Sequence, residues 1–265
     1  MQKIPTSNLA GMKNYQRLLV YVTMLLSGLI VVGFSHHGNH TKHETGLGGF
    51  AVIELFTSEG CSSCPAAEEL AIKFHRENYD NVFMLSYHVD YWNRLGWKDE
   101  FSNADYTNRQ KAYASAFRLK SLYTPQFVIN GKTEFTGTNE IKLRATVQRE
   151  LRIKTPVKIH LDASMPDGST MLVSCRIDNP GESMLHVTLV QKQAQTAVTR
   201  GENQGRKLQH LNIVRDFKTL QAKDAGAGNI RLQIPSGLTM KDLKVIAFVQ
   251  DPGNFSITAA QEKEF

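Results

Sequence analysis

Two cysteines three residues apart, Cys61 and Cys64, form a CxxC pair in this 265-residue chain. A pair with this spacing can close a disulfide, exchange it with the thiols of another molecule, or bind a soft metal ion through its thiolates. Structural zinc sites of this type need a second cysteine pair, whereas the only other cysteine here is Cys175. The pair therefore favours redox chemistry over a zinc knuckle.

The residues around the pair predict a strand before it and a helix after it. The run 51–56 is apolar and β-branched, as in a buried strand, and Thr57-Ser58-Glu59-Gly60 ends it. Residues 66–77 have apolar positions at helical spacing, so a helix is expected to begin at the CxxC motif. Unpaired N–H groups and the helix dipole would lower the pKa of the Cys61 thiol there, which makes Cys61 the expected nucleophile and Cys64 the resolving cysteine.

The following residues complete a recognisable order of elements. Further strands are predicted over 81–87, 126–129 and 134–136, and further helices over 104–119 and 140–154. The resulting order, β-α-β-α-β-β-α with CxxC after the first strand, is that of thioredoxin. In that fold a cis-proline precedes the third strand, and Thr124-Pro125 occupies this place. We expect Thr124 and Pro125 to shape the substrate groove.

Three aromatic residues lie in a segment that is longer than in ordinary thioredoxins. Residues 90–105 follow the second strand and contain Tyr91, Trp92 and Trp97 among charged residues. An insertion at this end of the sheet could form one wall of a groove beside the cysteines. The alternative is a small separate core around the two tryptophans.

Three titratable residues are candidates for a proton relay. His88 and Asp90 leave the second strand on the same face, where they could transfer protons or bind metal near the thiols. A hydrogen-bonded pair that anchors the insertion is the alternative. Glu54 lies one position away from the buried acid of thioredoxins, so strand alternation directs its side chain to the opposite face.

Several longer motifs resemble an uncharacterised family of secreted bacterial proteins with a thioredoxin-like domain, catalogued only as a domain of unknown function. The resemblance covers nearly all the chain after its leader. It implies the fold, export and the CxxC pair, and it implies no reaction. The motifs that carry it are ELFTSEGCSSCP, SYHVDYWNRLGWKDEFS, NRQKAYA and YTPQFVING.

Residues 156–265 have a different pattern from residues 48–155. Apolar and polar residues alternate in short runs between turn signals, which predicts a β-sandwich-like domain after the α/β thioredoxin-like domain. Cys175 has the parity of an inward-facing position, typical of an inert buried thiol. Residues 200–215 are polar and rich in glycine, and we expect a long loop.

Residues 1–47 form a leader typical of export. Three basic residues precede an uncharged hydrophobic segment at 18–34, which is long enough for an uncleaved anchor or a long signal peptide. A spacer with His36, His37, His40 and His43 follows. We expect residues 48–265 on the periplasmic or extracellular side, tethered to the membrane by segment 18–34.

The composition limits the possible functions. A hydrophobic content of 41% excludes a mainly disordered chain. Half of the net charge of +6 lies in the leader, so we expect no nucleic-acid partner. The leading prediction is a thiol:disulfide oxidoreductase that acts on protein thiols or disulfides and needs no cofactor.

Two other functions stay open. Cys61, Cys64 and His88 could bind Cu(I), in a manner similar to the Sco-type copper metallochaperones, whose cysteines are spaced one residue wider. Alternatively, the chain is a non-catalytic scaffold that binds partners.

Overall fold

The computed structural model describes residues 48–77 and 79–265. The hydrophobic segment 18–34 and the histidine-rich spacer therefore lie outside the described residues. Within the described part of the chain, no helix is both long and apolar enough to cross a membrane.

The first half of the described chain alternates strands and helices within a few residues of the predicted bounds. A short 3₁₀ helix, Asn93–Leu95, lies in the segment after the second strand. The elements are β1 (Ala51–Thr57), α1 (Cys64–His75), β2 (Val82–His88), α2 (Ala104–Ala116), β3 (Gln126–Ile129), β4 (Thr133–Thr136) and α3 (Glu140–Glu150).

The second half consists of strands with two short 3₁₀ helices, Ala222–Asp224 and Met240–Asp242. The alternating pattern in the sequence is accordingly realised as strands. They are β5 (Lys158–Ser164), β6 (Thr170–Asp178), β7 (Met184–Ala197), β8 (Lys207–Gln221), β9 (Ile230–Gln233), β10 (Leu243–Gln250) and β11 (Ile257–Glu264).

Eight of these strands form one mixed sheet in the order β11-β10-β7-β8-β2-β1-β3-β4. In this sheet β1 lies between β2, to which it is parallel, and β3, to which it is antiparallel. All seven residues of β1 are buried because helices cover it on both faces. Ile53 and Leu55 pack with α1 and α3, whereas Val52 and Phe56 pack toward the α2 side.

Strands from both halves of the chain meet between β2 and β8. Ser86 pairs with Ile213 in parallel register, and Ser86 Oγ donates a hydrogen bond to the carbonyl of Leu211 (2.7 Å). From the α2 side, the Tyr106 hydroxyl donates to the carbonyl of Val214 (3.0 Å). Strands from both sides of the division expected at residue 155/156 thus share the eight-stranded sheet, and the described residues belong to one compact unit.

A second, three-stranded sheet has the order β5-β6-β9. Apolar residues of β5, β6 and β9 share a core with one face of β7 and β10, so the two sheets pack as layers. Cys175 is buried in this core on β6, and burial raises the pKa of its thiol to about 12. This is the inward position that the strand parity predicts.

Candidate functional site

The two cysteines of the motif form a disulfide at the end of β1, with their Cα atoms 5.4 Å apart. The helix α1 begins at Cys64 rather than at Cys61, and Pro65 lies in its first turn. Cys61 instead lies in a tight turn in which the Cys64 N–H donates to its carbonyl (3.2 Å). The helix therefore begins within the CxxC motif, as predicted, but Cys61 lies three residues before its first residue, because Pro65 favours the first turn.

Both cysteines are buried, with Cys61 1% and Cys64 0% exposed, although Ser62 and Ser63 between them are exposed. The Cys61 sulfur lies 3.4 Å from the hydroxyl oxygen of Ser63. The disulfide therefore lies just beneath a surface formed by the two serines.

The tip of the β7–β8 hairpin lies against this turn. The Asn203 amide donates hydrogen bonds to the carbonyls of Glu59 (2.8 Å) and Cys61 (2.9 Å), and Asn203 is itself buried. Beside it, Glu202 accepts a hydrogen bond from the Ser62 N–H (3.1 Å). Residues 207–215, expected as part of a long loop, belong to β8, because they continue the ladder with β7.

The Thr124–Pro125 peptide bond is cis, as the sequence predicts. Trp92 connects this bond to the cysteine turn: its indole N–H donates to Thr124 Oγ1 (2.8 Å). A Cβ at Gly60 would lie 3.1 Å from the Trp92 Cβ, so glycine permits this close approach. Pro125 lies toward α1, because a Cβ at Gly137 would be within 3 Å of both Pro125 and Ala67.

Of the other two aromatic residues of the insertion, Trp97 contacts the cysteine turn and Tyr91 contacts α2. Trp97 donates from its indole to Glu59 Oε2 (2.7 Å), and the hairpin residue Gly201 packs against its Cβ. Tyr91 is half-buried and donates to Gln110 on α2 (3.3 Å). The insertion is therefore tied to the cysteine turn through Trp92 and Trp97.

A cluster of buried titratable side chains lies beside the disulfide, and we call it the acid–histidine cluster. Glu68 lies on α1 one turn after Cys64, and the other members come from four further segments. None of the members is more than 6% exposed. They are Glu59, Glu68, His88, Asp99 and His210.

Each histidine of the cluster is held by a carboxylate at Nδ1. His88 Nδ1 lies 2.7 Å from Asp99 Oδ2, and His210 Nδ1 lies 2.5 Å from Glu68 Oε2. The Thr57 hydroxyl donates to the other oxygen of Glu68 (2.7 Å). These contacts fix both imidazole rings, which meet edge to face with centroids 5.1 Å apart.

Burial and neighbouring charges shift the pKa values of His210 and Asp99 in opposite directions. Burial disfavours a charged imidazole, yet Glu59 and Glu68 outweigh it and raise the pKa of His210 to about 10. Burial likewise opposes ionisation of Asp99, but His88 and backbone N–H groups hold its pKa below the ordinary value. Both shifts favour the charged forms, the imidazolium of His210 and the carboxylate of Asp99. Glu68 of the same cluster lies one helical turn after Cys64.

Of the three residues expected in a proton relay, only His88 belongs to this cluster. Glu54 faces the opposite side of the sheet, where Arg109 donates to it (2.6 Å) and the Tyr113 hydroxyl also bonds to it. This agrees with the strand parity. Asp90 accepts from the Thr107 hydroxyl (2.6 Å), so it anchors the insertion to α2 rather than facing the disulfide.

Four members of the cluster, Glu59, Glu68, Asp99 and His210, are not among the predicted site residues. Glu68 was detectable, because it follows Cys64 by four residues on the same helical face. His210 approaches only through the β2–β8 pairing, which no local pattern indicates.

The family model described as "Protein of unknown function (DUF1223)" matches residues 52–250. Among solved structures, protein AGR_C_4864 from Agrobacterium tumefaciens is similar, with 25% identity and a TM-score of 0.61 over 81% of this chain and 93% of that one. A domain of the outer membrane lipoprotein Omp28 from Porphyromonas gingivalis matches with 16% identity and a TM-score of 0.23, over 42% of this chain and 88% of that one. The comparison with curated proteins found no match.

Proposed function

This chain belongs to the DUF1223 family of proteins of unknown function, a membership that assigns no reaction, and we propose from the site itself that it performs thiol:disulfide exchange. The observation that carries the proposal is the Cys61–Cys64 disulfide at the β1–α1 junction. Trp92 connects this turn to the cis Thr124–Pro125 bond, since it packs against Gly60 and donates to Thr124. The order β1-α1-β2-α2-β3-β4-α3, with β1 between β2 and β3, supports a thioredoxin-like part within the mixed sheet.

The exchange proceeds in two balanced steps. In the dithiol form, the Cys61 thiolate attacks one sulfur of a substrate protein disulfide, which forms a mixed disulfide and releases one substrate thiolate. The Cys64 thiolate then attacks the Cys61 sulfur, which forms the intramolecular disulfide and releases the second substrate thiolate. The two protons of the original dithiol end on the substrate thiols. The reverse sequence oxidises a substrate dithiol.

Residues around the Cys61–Cys64 pair support roles in substrate binding and proton exchange. Thr124, Pro125 and Trp92 form a surface next to the cysteine turn, on which a substrate segment can bind. Glu68 lies one turn after Cys64 on α1 and pairs with His210, and we assign to it the exchange of protons with the resolving thiol. Cys61 is buried and the β7–β8 hairpin tip is hydrogen-bonded to its carbonyl, so we infer that the tip moves away from the turn before attack.

A mass-resolved redox titration tests the proposal directly. The Cys61/Cys64 pair should titrate as a two-electron couple, and Cys64→Ser should accumulate a mixed disulfide because the resolving thiol is missing. Cys175→Ser is the matched control and should cycle like the parent. A pair that cannot be reduced and reoxidised would rule out exchange, and a phenotype unchanged by Cys61→Ser would favour the scaffold. Cu(I) held by the reduced parent, and lost in Cys61→Ser, would favour the copper alternative.

We also infer that the protein works outside the cytoplasm, anchored by segment 18–34. The support is the basic residues before an uncharged segment, together with a disulfide in residues that would face an oxidising compartment. Fractionation tests this inference: the chain should be found with membranes or the exported fraction. A cytosolic protein that starts at Met1 would contradict it.

A further inference from the structure

The acid–histidine cluster contains more charge than its internal pairing satisfies. Three carboxylates, those of Glu59, Glu68 and Asp99, surround only two imidazoles, those of His88 and His210, in a space closed to solvent. Buried carboxylates in this ratio require protons on the histidines or a cation between them. No lysine or arginine contacts them among the ion pairs of the described residues.

Each imidazole has one ring nitrogen that makes no hydrogen bond within the described residues. Their Nδ1 atoms are occupied by Asp99 and Glu68, as described above. Their Nε2 atoms are buried and have no hydrogen-bond partner in the described part of the chain, and the same is true of Glu59 Oε1. A histidine that gives one ring nitrogen to a carboxylate and leaves the other free has the arrangement of a metal ligand with its supporting group.

The carboxylate and imidazole atoms of the cluster lie close to one another. Glu59 Oε1 lies 3.2 Å from His210 Nε2, within ion-pair distance, although the geometry is not that of a hydrogen bond. Two ligands bound to one zinc ion at about 2.1 Å each are separated by about 3 to 3.5 Å. One donor atom from each of Glu68, His88 and His210 also falls within 4.8 Å of the others. His88 and His210 therefore lie close enough for one ion to contact both rings.

We propose that this cluster binds one divalent transition-metal ion, with Zn²⁺ as the test ion. His88 Nε2, His210 Nε2 and Glu59 Oε1 are its ligands, and Asp99 and Glu68 hold the two rings from behind. Imidazole and carboxylate ligands suit zinc and its neighbours, whereas magnesium and calcium prefer oxygen ligands alone. The site is independent of the thiols, so it differs from the copper site that Cys61, Cys64 and His88 would form.

A bound ion would also stabilise the fold. Its ligands come from the β1–α1 turn, the end of β2 and strand β8, which are distant in sequence. A bound ion would therefore fasten β8 and its hairpin to the part of the fold that contains the disulfide. Binding of this kind stabilises the folded state by mass action.

The experiment uses the full chain with its disulfide intact, so that Cys61 and Cys64 offer no thiolates. The leader histidines are a competing site and are removed in all samples by His36→Ala, His37→Ala, His40→Ala and His43→Ala. Zn²⁺ alone is titrated calorimetrically after chelator treatment, and thermal unfolding is followed with and without the ion. X-ray absorption on the zinc-loaded parent identifies the ligand atoms without any further substitution.

The expected result is one Zn²⁺ per chain, nitrogen and oxygen ligands without sulfur, and a higher unfolding midpoint with the ion. His88→Gln and Glu59→Gln should each weaken binding at least tenfold, and Asp99→Asn should weaken it about 10- to 100-fold. His186→Gln, a buried histidine outside the cluster, is the control and should bind as the parent does. Absence of saturable binding, sulfur ligands, or binding unaffected by these changes would overturn the proposal, whatever the outcome of the redox titration.

Discussion

We expect the β7–β8 hairpin tip to control access to Cys61, and Asn203→Ala tests this directly. The substitution removes the two hydrogen bonds, of 2.8 and 2.9 Å, that join the tip to the carbonyls of Glu59 and Cys61. At about 0.5–1.5 kcal/mol for each bond, closure weakens by about 1–3 kcal/mol. Because each 1.4 kcal/mol is a factor of ten, the open population should rise about 5- to 150-fold.

The assay is the rate at which dithiothreitol reduces the Cys61–Cys64 disulfide, followed by acid quenching, alkylation and mass measurement. A small reductant needs no substrate groove, so its rate follows the open population when opening and closing are fast. Asn203→Ala should therefore be reduced faster than the parent by the factor given above.

The matched control is Asn254→Ala, in the loop between β10 and β11, where Asn254 accepts a hydrogen bond from the Ser256 N–H (2.8 Å). Its reduction rate should equal that of the parent. A rate for Asn203→Ala that is unchanged or lower would refute the reasoning, since Cys61 would then become accessible by another movement.

Three further predictions concern buried groups away from the cluster. Glu54→Gln leaves the Arg109 guanidinium buried without its counter-ion and should lower the free energy of unfolding, measured in urea, by about 3–5 kcal/mol. The control Glu77→Gln, in a partly exposed pair with Arg144, should change it by at most about 1 kcal/mol. Burial, with the charge of Arg109, keeps the pKa of His186 well below 6.5, so below pH 6.5 the unfolded chain binds a proton that the folded chain does not. Stability should fall as the pH falls, by about 1.4 kcal/mol per unit relative to His186→Gln, and equal slopes in the two proteins would contradict this. Cys175, whose thiol pKa is raised to about 12, should react with iodoacetamide only on unfolding, and rapid labelling of the native protein would disprove its burial.

Local patterns predicted the first half of the fold well. The bounds of β3, Gln126–Ile129, agree with the predicted strand, and the cis bond before it was expected from Thr124-Pro125. These features depend on neighbouring residues: apolar alternation, helix spacing and a proline before a strand. The helix predicted to begin at the CxxC motif begins at its second cysteine, Cys64, because Pro65 favours the first turn.

The sequence by itself determined the CxxC pair through the spacing of its cysteines. Short-range periodicity determined its place after a buried strand and the sheet face to which Glu54 points. Only the tertiary structure decided that β8 joins β2, and with it that His210 lies beside Glu68, 142 positions away in the chain. The physical reason is that alternation tells which face of a strand is buried but not which strand is its neighbour. The acid–histidine cluster, the hairpin over Cys61 and the proposed metal site all depend on that pairing.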